Sequence, residues 1–90
     1  MYKNWIFVFK ERTEKTFKSL EYKTQKQILM FVKKLEKSGN PRSIGEGLKG
    51  DKNIYWRYRV GNYRLLCIIQ DNVLEVHAIK IGHRRDVYTK

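Results

Sequence analysis

The chain has 90 residues, of which 41% are hydrophobic and 13% aromatic, with a single cysteine and a formal net charge of +11. That length makes one small domain, 1–90, with a modest core. The composition excludes a disordered chain, Cys67 alone excludes an internal disulfide, and no apolar run approaches the ~20 residues that span a bilayer. The excess of positive charge favours nucleic acid, an anionic surface or an acidic protein as partner.

Trp5-Ile6-Phe7-Val8-Phe9 is a continuous apolar run, too short for the core of a signal peptide. It predicts a central strand covered on at least one face. Glu11 to Leu20 follows as a short helix with Phe17 and Leu20 turned inward. In Tyr22 to Ser38, residues Ile28, Leu29, Phe31, Val32 and Leu35 recur at helical spacing among lysines and glutamines, which predicts a longer amphipathic helix. Gly39-Asn40-Pro41 ends it, with glycine at the C′ position and proline just beyond.

Residues 40–53 hold Gly45, Gly47 and Gly50 and few apolar side chains, and are expected to form a long loop of the kind that is often functional or mobile. Three strands then follow at Ile54–Val60, Tyr63–Gln70 and Val73–Ile81, joined by the tight-turn pairs Gly61-Asn62 and Asp71-Asn72. Residues 82–90 are a polar tail. The whole predicts an α+β fold: a strand, a two-helix hairpin and a three-stranded antiparallel meander, with strand one pairing with the last. The helices would pack on one face of this four-stranded sheet.

Hairpin arithmetic places 60 opposite 63, 59 opposite 64 and 57 opposite 66, and across the second turn 70 opposite 73, 68 opposite 75 and 66 opposite 77. One face would carry Trp56, Tyr58, Val60, Tyr63, Leu65, Cys67, Ile69, Leu74, Val76 and Ala78, and receive the helices. The other would carry Arg57, Arg59, Arg64, Leu66, Ile68, Glu75 and His77, uncovered by any remaining element. Arg59 directly opposite Arg64 costs sheet stability, which points to a surface built for a polyanion.

The cations are segregated. Eleven of 13 lysines precede residue 54, and five of seven arginines follow it. A guanidinium grips phosphate in two places and stays charged when partly buried, so the C-terminal half is the working half. No metal-ligand spacing, nucleotide-binding loop or nucleophilic triad is present. Gly45-x-Gly47-x-x-Gly50 follows no strand and opens no helix, and Cys67 falls on the helix-packed face as core filler. What remains is the arginine face and the segment Gly82-His83-Arg84-Arg85-Asp86-Val87-Tyr88, basic groups beside an aromatic ring, the pattern of single-stranded RNA binding. A solvated tail is the competing reading of Arg84, Arg85 and Tyr88. His77 and His83 are candidate acids or bases against structural or solvated roles, and Glu75 a candidate base against a solubilising charge.

Leu48-Lys49-Gly50, Trp56-Arg57-Tyr58-Arg59-Val60-Gly61-Asn62-Tyr63-Arg64-Leu65 and Ile81-Gly82-His83-Arg84-Arg85-Asp86-Val87-Tyr88, in that order, resemble the RelE branch of the RelE/ParE toxin superfamily over essentially the whole chain. The resemblance implies the toxin of a type II toxin–antitoxin pair, an endoribonuclease that enters the ribosomal A site and cuts mRNA by attack of the 2′-OH on the adjacent phosphate. It implies a cytoplasmic protein with no cofactor and no metal, whose partners are mRNA on the 70S ribosome and an acidic antitoxin. By position it implies catalytic roles for Arg64, Arg84 and Tyr88 and RNA-binding roles for Arg57 and Arg59; from the residues themselves Arg85 is a further RNA-binding candidate, and His83, which stands where members of the family often carry a lysine, is a candidate proton-transfer group. Arginines stand where the best-known members carry lysines on the second strand, and an arginine hardly deprotonates, which leaves the general base unassigned. Other readings are a gyrase-inhibiting ParE-like toxin of the same fold and a non-catalytic RNA-binding module.

Overall fold

The computed structural model describes residues 4–48 and 54–83. The elements run β1 (Ile6–Phe9), α1 (Glu11–Ser19), α2 (Tyr22–Ser38), β2 (Glu46–Gly47), β3 (Trp56–Val60), β4 (Tyr63–Gln70) and β5 (Glu75–His83). The strands form one five-stranded sheet in the order β1-β5-β4-β3-β2. β1 runs parallel to β5, and the other neighbours are antiparallel. The α+β arrangement matches the sequence expectation, with one strand more than the four expected. The addition is β2, two residues within the expected long loop, pairing Glu46 with Arg57 and Gly47 with Trp56.

β1 lies at the sheet's edge rather than in its middle, and Ile6 is exposed there. Its amides alternate. Those of Ile6 and Lys10 donate to Leu74 and Ala78, while Phe7 N–H points outward and donates to the Glu36 carboxylate of α2 at 2.7 Å. One outward donor of an otherwise open edge is thereby satisfied by a helix side chain.

Both helices follow from their apolar spacing. Ile28, Val32 and Leu35 of α2 are buried against Tyr58, Val60, Leu65, Cys67, Val76 and Ala78 of the sheet, and Phe17, Leu20 and Phe31 pack around that core. Leu29, expected inside, is exposed, as is its neighbour Met30. Gly39 ends α2 at φ 71°, a left-handed conformation that glycine takes without steric cost.

The β3–β4 hairpin has the expected register, with Val60 opposite Tyr63 and Arg59 opposite Arg64. The β4–β5 register differs: Gln70 faces Glu75 and Ile68 faces His77. The connection spans residues 71–74, with the amides of Val73 and Leu74 bonded to the carbonyls of Gln70 and Asp71 and Leu74 at φ 56°. A slip of two preserves every face, so Cys67, Val76 and Ala78 still enter the core. A bulge between Leu66 and Cys67 then moves Ile81, rather than Lys80, opposite Leu65 and into the core.

Candidate functional site

The segment from Asn40 to Leu48 is fixed to the sheet by its own sequence. The Tyr58 hydroxyl, fully buried, donates to the Pro41 carbonyl at 2.5 Å, and the Trp56 indole N–H donates to the Ile44 carbonyl at 2.8 Å. Arg42 forms a two-pronged pair with Asp71 in the β4–β5 turn, at 2.9 Å for each bond. Gly45 lies so close to β3 that a Cβ there would come within 2.6 Å of Trp56 Nε1 and 2.7 Å of the Arg57 carbonyl. The long loop, expected to be functional or mobile, is over its described residues a strap along the outer edge of β3.

Strap, sheet and α2 enclose a cleft of about 480 Å³ lined by Arg57, Arg59, Arg64, Glu46, Ile44, Gly45, Phe31 and Tyr58. Three arginines expected on one sheet face thus reach one cavity, in three different settings. Arg59 is exposed. Arg57 is largely covered, its side chain 15% exposed, and its Nη2 donates to the Glu46 carboxylate across the β2–β3 ladder. Arg64 is only 4% exposed, and its Nη1 donates to the carbonyls of Tyr63 at 3.1 Å and Gly61 at 3.3 Å. The expectation of an uncovered basic face is corrected here. Arg64 folds back on its own hairpin turn, and Leu66, Ile68, Glu75 and His77 are partly buried.

Glu46 is the residue that sequence reasoning missed. Its carboxyl is held below the ordinary glutamate range, first by the hydrogen bond from Arg57 and then by that guanidinium's charge, against an opposing desolvation effect and with lesser pulls from Arg59 and Arg64. It is an ionised oxygen ligand inside a cationic cleft. The available signal was its place between Gly45 and Gly47, since residues flanked by glycines can approach a strand closely.

The histidines stand apart from the cleft lining. His77 Nε2 is 2.7 Å from Glu75 Oε1, so the two candidates on β5 pair with each other. His83 is opposite Tyr63, their rings edge to face at 5.8 Å, while its neighbour Gly82 is opposite Arg64. Cys67 is fully buried, and burial pushes its thiol well above the ordinary range, which suits core filler. Arg84, Arg85 and Tyr88 lie outside the described residues.

The family model described as ParE toxin of type II toxin–antitoxin system, parDE, matches residues 7–88. No curated protein matches the chain. Among solved structures, the RelBE2 toxin–antitoxin complex of Mycobacterium tuberculosis superposes with a TM-score of 0.80 at 22% identity, covering 91% of this chain and 100% of that one. The isolated Escherichia coli RelE toxin gives 0.73 at 22% identity over 88% of this chain and 83% of that one. The archaeal RelE–RelB complex of Pyrococcus horikoshii gives 0.70 at 22% identity over 91% and 97%. At such identities the superpositions speak for the fold.

Proposed function

The chain belongs to the ParE toxin family of type II toxin–antitoxin systems, and from that premise we propose that it is an mRNA endonuclease acting in the ribosomal A site. The observation that carries the reading is the convergence of Arg57, Arg59 and Arg64 on one cleft that also holds the Glu46 carboxylate. Three guanidiniums suit the charge that builds on phosphate oxygens during in-line displacement, where catalysis is mostly positioning and electrostatic stabilisation.

In the proposed step the 2′ oxygen forms a bond to phosphorus while the bond from phosphorus to the 5′ oxygen breaks, leaving a 2′,3′-cyclic phosphate and a 5′-OH. The 2′ proton needs an acceptor. Arginine stays protonated at any working pH, whereas Glu46 is ionised and already in the cleft. Glu46 takes that role, as a weak base because its affinity for protons is lowered. The 5′ oxygen needs a proton donor, and His83 is proposed for it from its place in the last motif, although its ring lies against Tyr63 rather than in the cleft lining. Arg64 and Arg84 stabilise the phosphate, Arg57, Arg59 and Arg85 hold the RNA backbone, and Tyr88 orients a base. With so weak a base, cleavage of free RNA is slow, and the ribosome supplies the alignment of nucleophile and phosphate.

An acidic antitoxin is the second partner. The M. tuberculosis and P. horikoshii structures are toxin–antitoxin complexes, and the charge of +11 suits an acidic segment that folds on binding.

Primer extension on an mRNA in a translating extract tests the proposal. Cuts within A-site codons are expected, lost when Arg59 is replaced by alanine. The family model is named for ParE, which motivates the second reading, a ParE-like toxin that inhibits gyrase without RNA cleavage. Inhibited supercoiling by the purified protein, with intact mRNA in the extract, would select that one.

A further inference from the structure

The cleft lining combines two kinds of group: the guanidiniums of Arg57, Arg59 and Arg64, and the apolar side chains of Phe31 of α2 and Ile44 of the strap. Phosphate chemistry uses only the guanidiniums. Ile44 is a large apolar side chain left 40% exposed, although the strap that carries it is fixed. Its own carbonyl is held by the Trp56 indole, and the neighbouring Gly45 abuts β3. Phe31 is equally constrained. Its ring lies 5.2 Å from that of Tyr58, which is locked in turn by the Pro41 carbonyl.

We propose that Phe31 and Ile44 form a nucleobase subsite, seating the base of the nucleotide whose phosphate the arginines hold. This rests on the RNA-cleaving reading for its substrate class. Held apolar side chains and guanidiniums lining one small cavity are complementary to a nucleotide, one end flat and apolar and the other anionic. The cavity volume falls within the ~300–1,000 Å³ of small-ligand sites, room for a single base rather than a stack of several. A contact of this kind tolerates all four bases and favours the larger purines, because the gain follows the apolar area covered. Selection by the subsite is therefore graded by base size rather than by a hydrogen-bond code.

Two 2′-O-methyl trinucleotides test it, one all-adenine and one abasic at every position, titrated into the purified full chain and followed by the shifts of its two tryptophan indole N–H resonances. The methyl group blocks cleavage, so binding is read alone. Wild type is expected to bind the adenine probe roughly tenfold tighter than the abasic one, within the usual range for one base on an apolar platform. Ile44→Ser and Phe31→Leu should each reduce that ratio at least threefold (about 0.65 kcal/mol by RT ln 3) while leaving the abasic affinity unchanged. Arg59→Ala should weaken both probes alike. Ile44→Ser alters an exposed side chain, so it serves if Phe31→Leu fails to fold. Equal affinity of wild type for both probes, a ratio that survives both substitutions, or no measurable binding of either probe overturns the subsite. If the ratio behaves as expected while the translating extract shows no cuts, the nuclease reading fails and the subsite stands. If cuts appear and the ratio ignores both substitutions, the subsite fails and the nuclease stands.

Discussion

Arg57 donates to the Glu46 carboxylate directly across the β2–β3 ladder, so one cation of the cleft is already balanced before any phosphate arrives. An incoming phosphate must share Arg57 with that carboxylate, and the carboxylate repels it. Glu46→Gln removes the charge and keeps the shape. It is expected to tighten binding of a non-cleavable 2′-O-methyl RNA by about twofold to fivefold, the scale of an exposed ion pair, and to lower the rate of A-site cleavage. Tighter binding with slower cutting would separate a proton acceptor from a mere counter-ion. Unchanged cleavage would remove Glu46 from the chemistry.

The same pair has a pH signature. The folded-state value of Glu46 is depressed, so its contribution to stability is complete at pH values above the ordinary glutamate range and is lost as the pH falls through the depressed value. The side chain is 60% exposed, which screens the effect, so site-resolved titration is more sensitive than melting. Carboxyl NMR should find Glu46 titrating below ordinary glutamates in wild type and back among them in Arg57→Ala. A midpoint in the ordinary range in wild type would contradict the pairing.

Arg59 and Arg64 face each other across the hairpin but should respond differently to replacement by alanine. Arg59 is exposed, and its loss is expected to leave the melting temperature within a few degrees while reducing cleavage at least tenfold. Arg64 is buried and bonded to the turn carbonyls of Gly61 and Tyr63. Losing it should cost about 1–3 kcal/mol, a drop of roughly 4–8 °C per kcal/mol in a domain of this size, as well as activity. Equal thermal shifts in the two variants would refute the distinction.

That difference also marks how far the sequence alone could see. Alternation along Trp56-Arg57-Tyr58-Arg59-Val60 and a two-residue turn placed Arg59 opposite Arg64, because period and loop length fix a hairpin register. They could not say that Arg64 would turn back onto Gly61, since that depends on rotamer and neighbours. Asp71-Asn72 offered the same turn chemistry, but Leu74 adopts a left-handed conformation that nothing in its type announces, and the turn grew by two residues. Because the slip was even, the core forecast survived. The Leu66–Cys67 bulge, an odd shift, brought Ile81 inside unannounced. β2 was invisible because two residues carry no periodicity. Glu46 entered the site through the close approach of Gly45 to β3, a tertiary contact.

Two glycines with similar backbone angles should therefore differ. Gly39 has φ 71° and nothing within 4 Å of a built Cβ, whereas Gly45 has φ 84° and three atoms of β3 residues within 2.8 Å. Gly39→Ala is expected to cost only the left-handed penalty, about 1 kcal/mol, with normal cleavage. Gly45→Ala adds a clash with the Arg57 backbone and the Trp56 and Tyr58 rings, so it should displace the strap. The Trp56 indole N–H resonance should shift, and cleavage should fall well below that of Gly39→Ala. Parity of the two variants would show that the strap position does not matter to the site.

Tyr58 links the strap to the core, and its replacement by phenylalanine isolates one hydrogen bond. Its hydroxyl is buried and donates to the Pro41 carbonyl, which Tyr58→Phe would leave unsatisfied at a cost of about 1–3 kcal/mol. Burial raises the folded-state value of the phenol above its ordinary one, with Cys67 adding to the rise and Arg42 opposing it. The native state thus holds this proton more tightly than the unfolded chain does. The resulting stability is complete below the ordinary tyrosine value of about 10 and is lost as the pH rises from there toward the folded-state value. Wild type should accordingly exceed Tyr58→Phe in denaturant midpoint by a constant margin from pH 7 to 9, and the margin should shrink above pH 10. A margin that holds constant through pH 11 would mean that the phenol ionises no less readily in the folded protein than in the unfolded chain, contrary to a buried bond to Pro41.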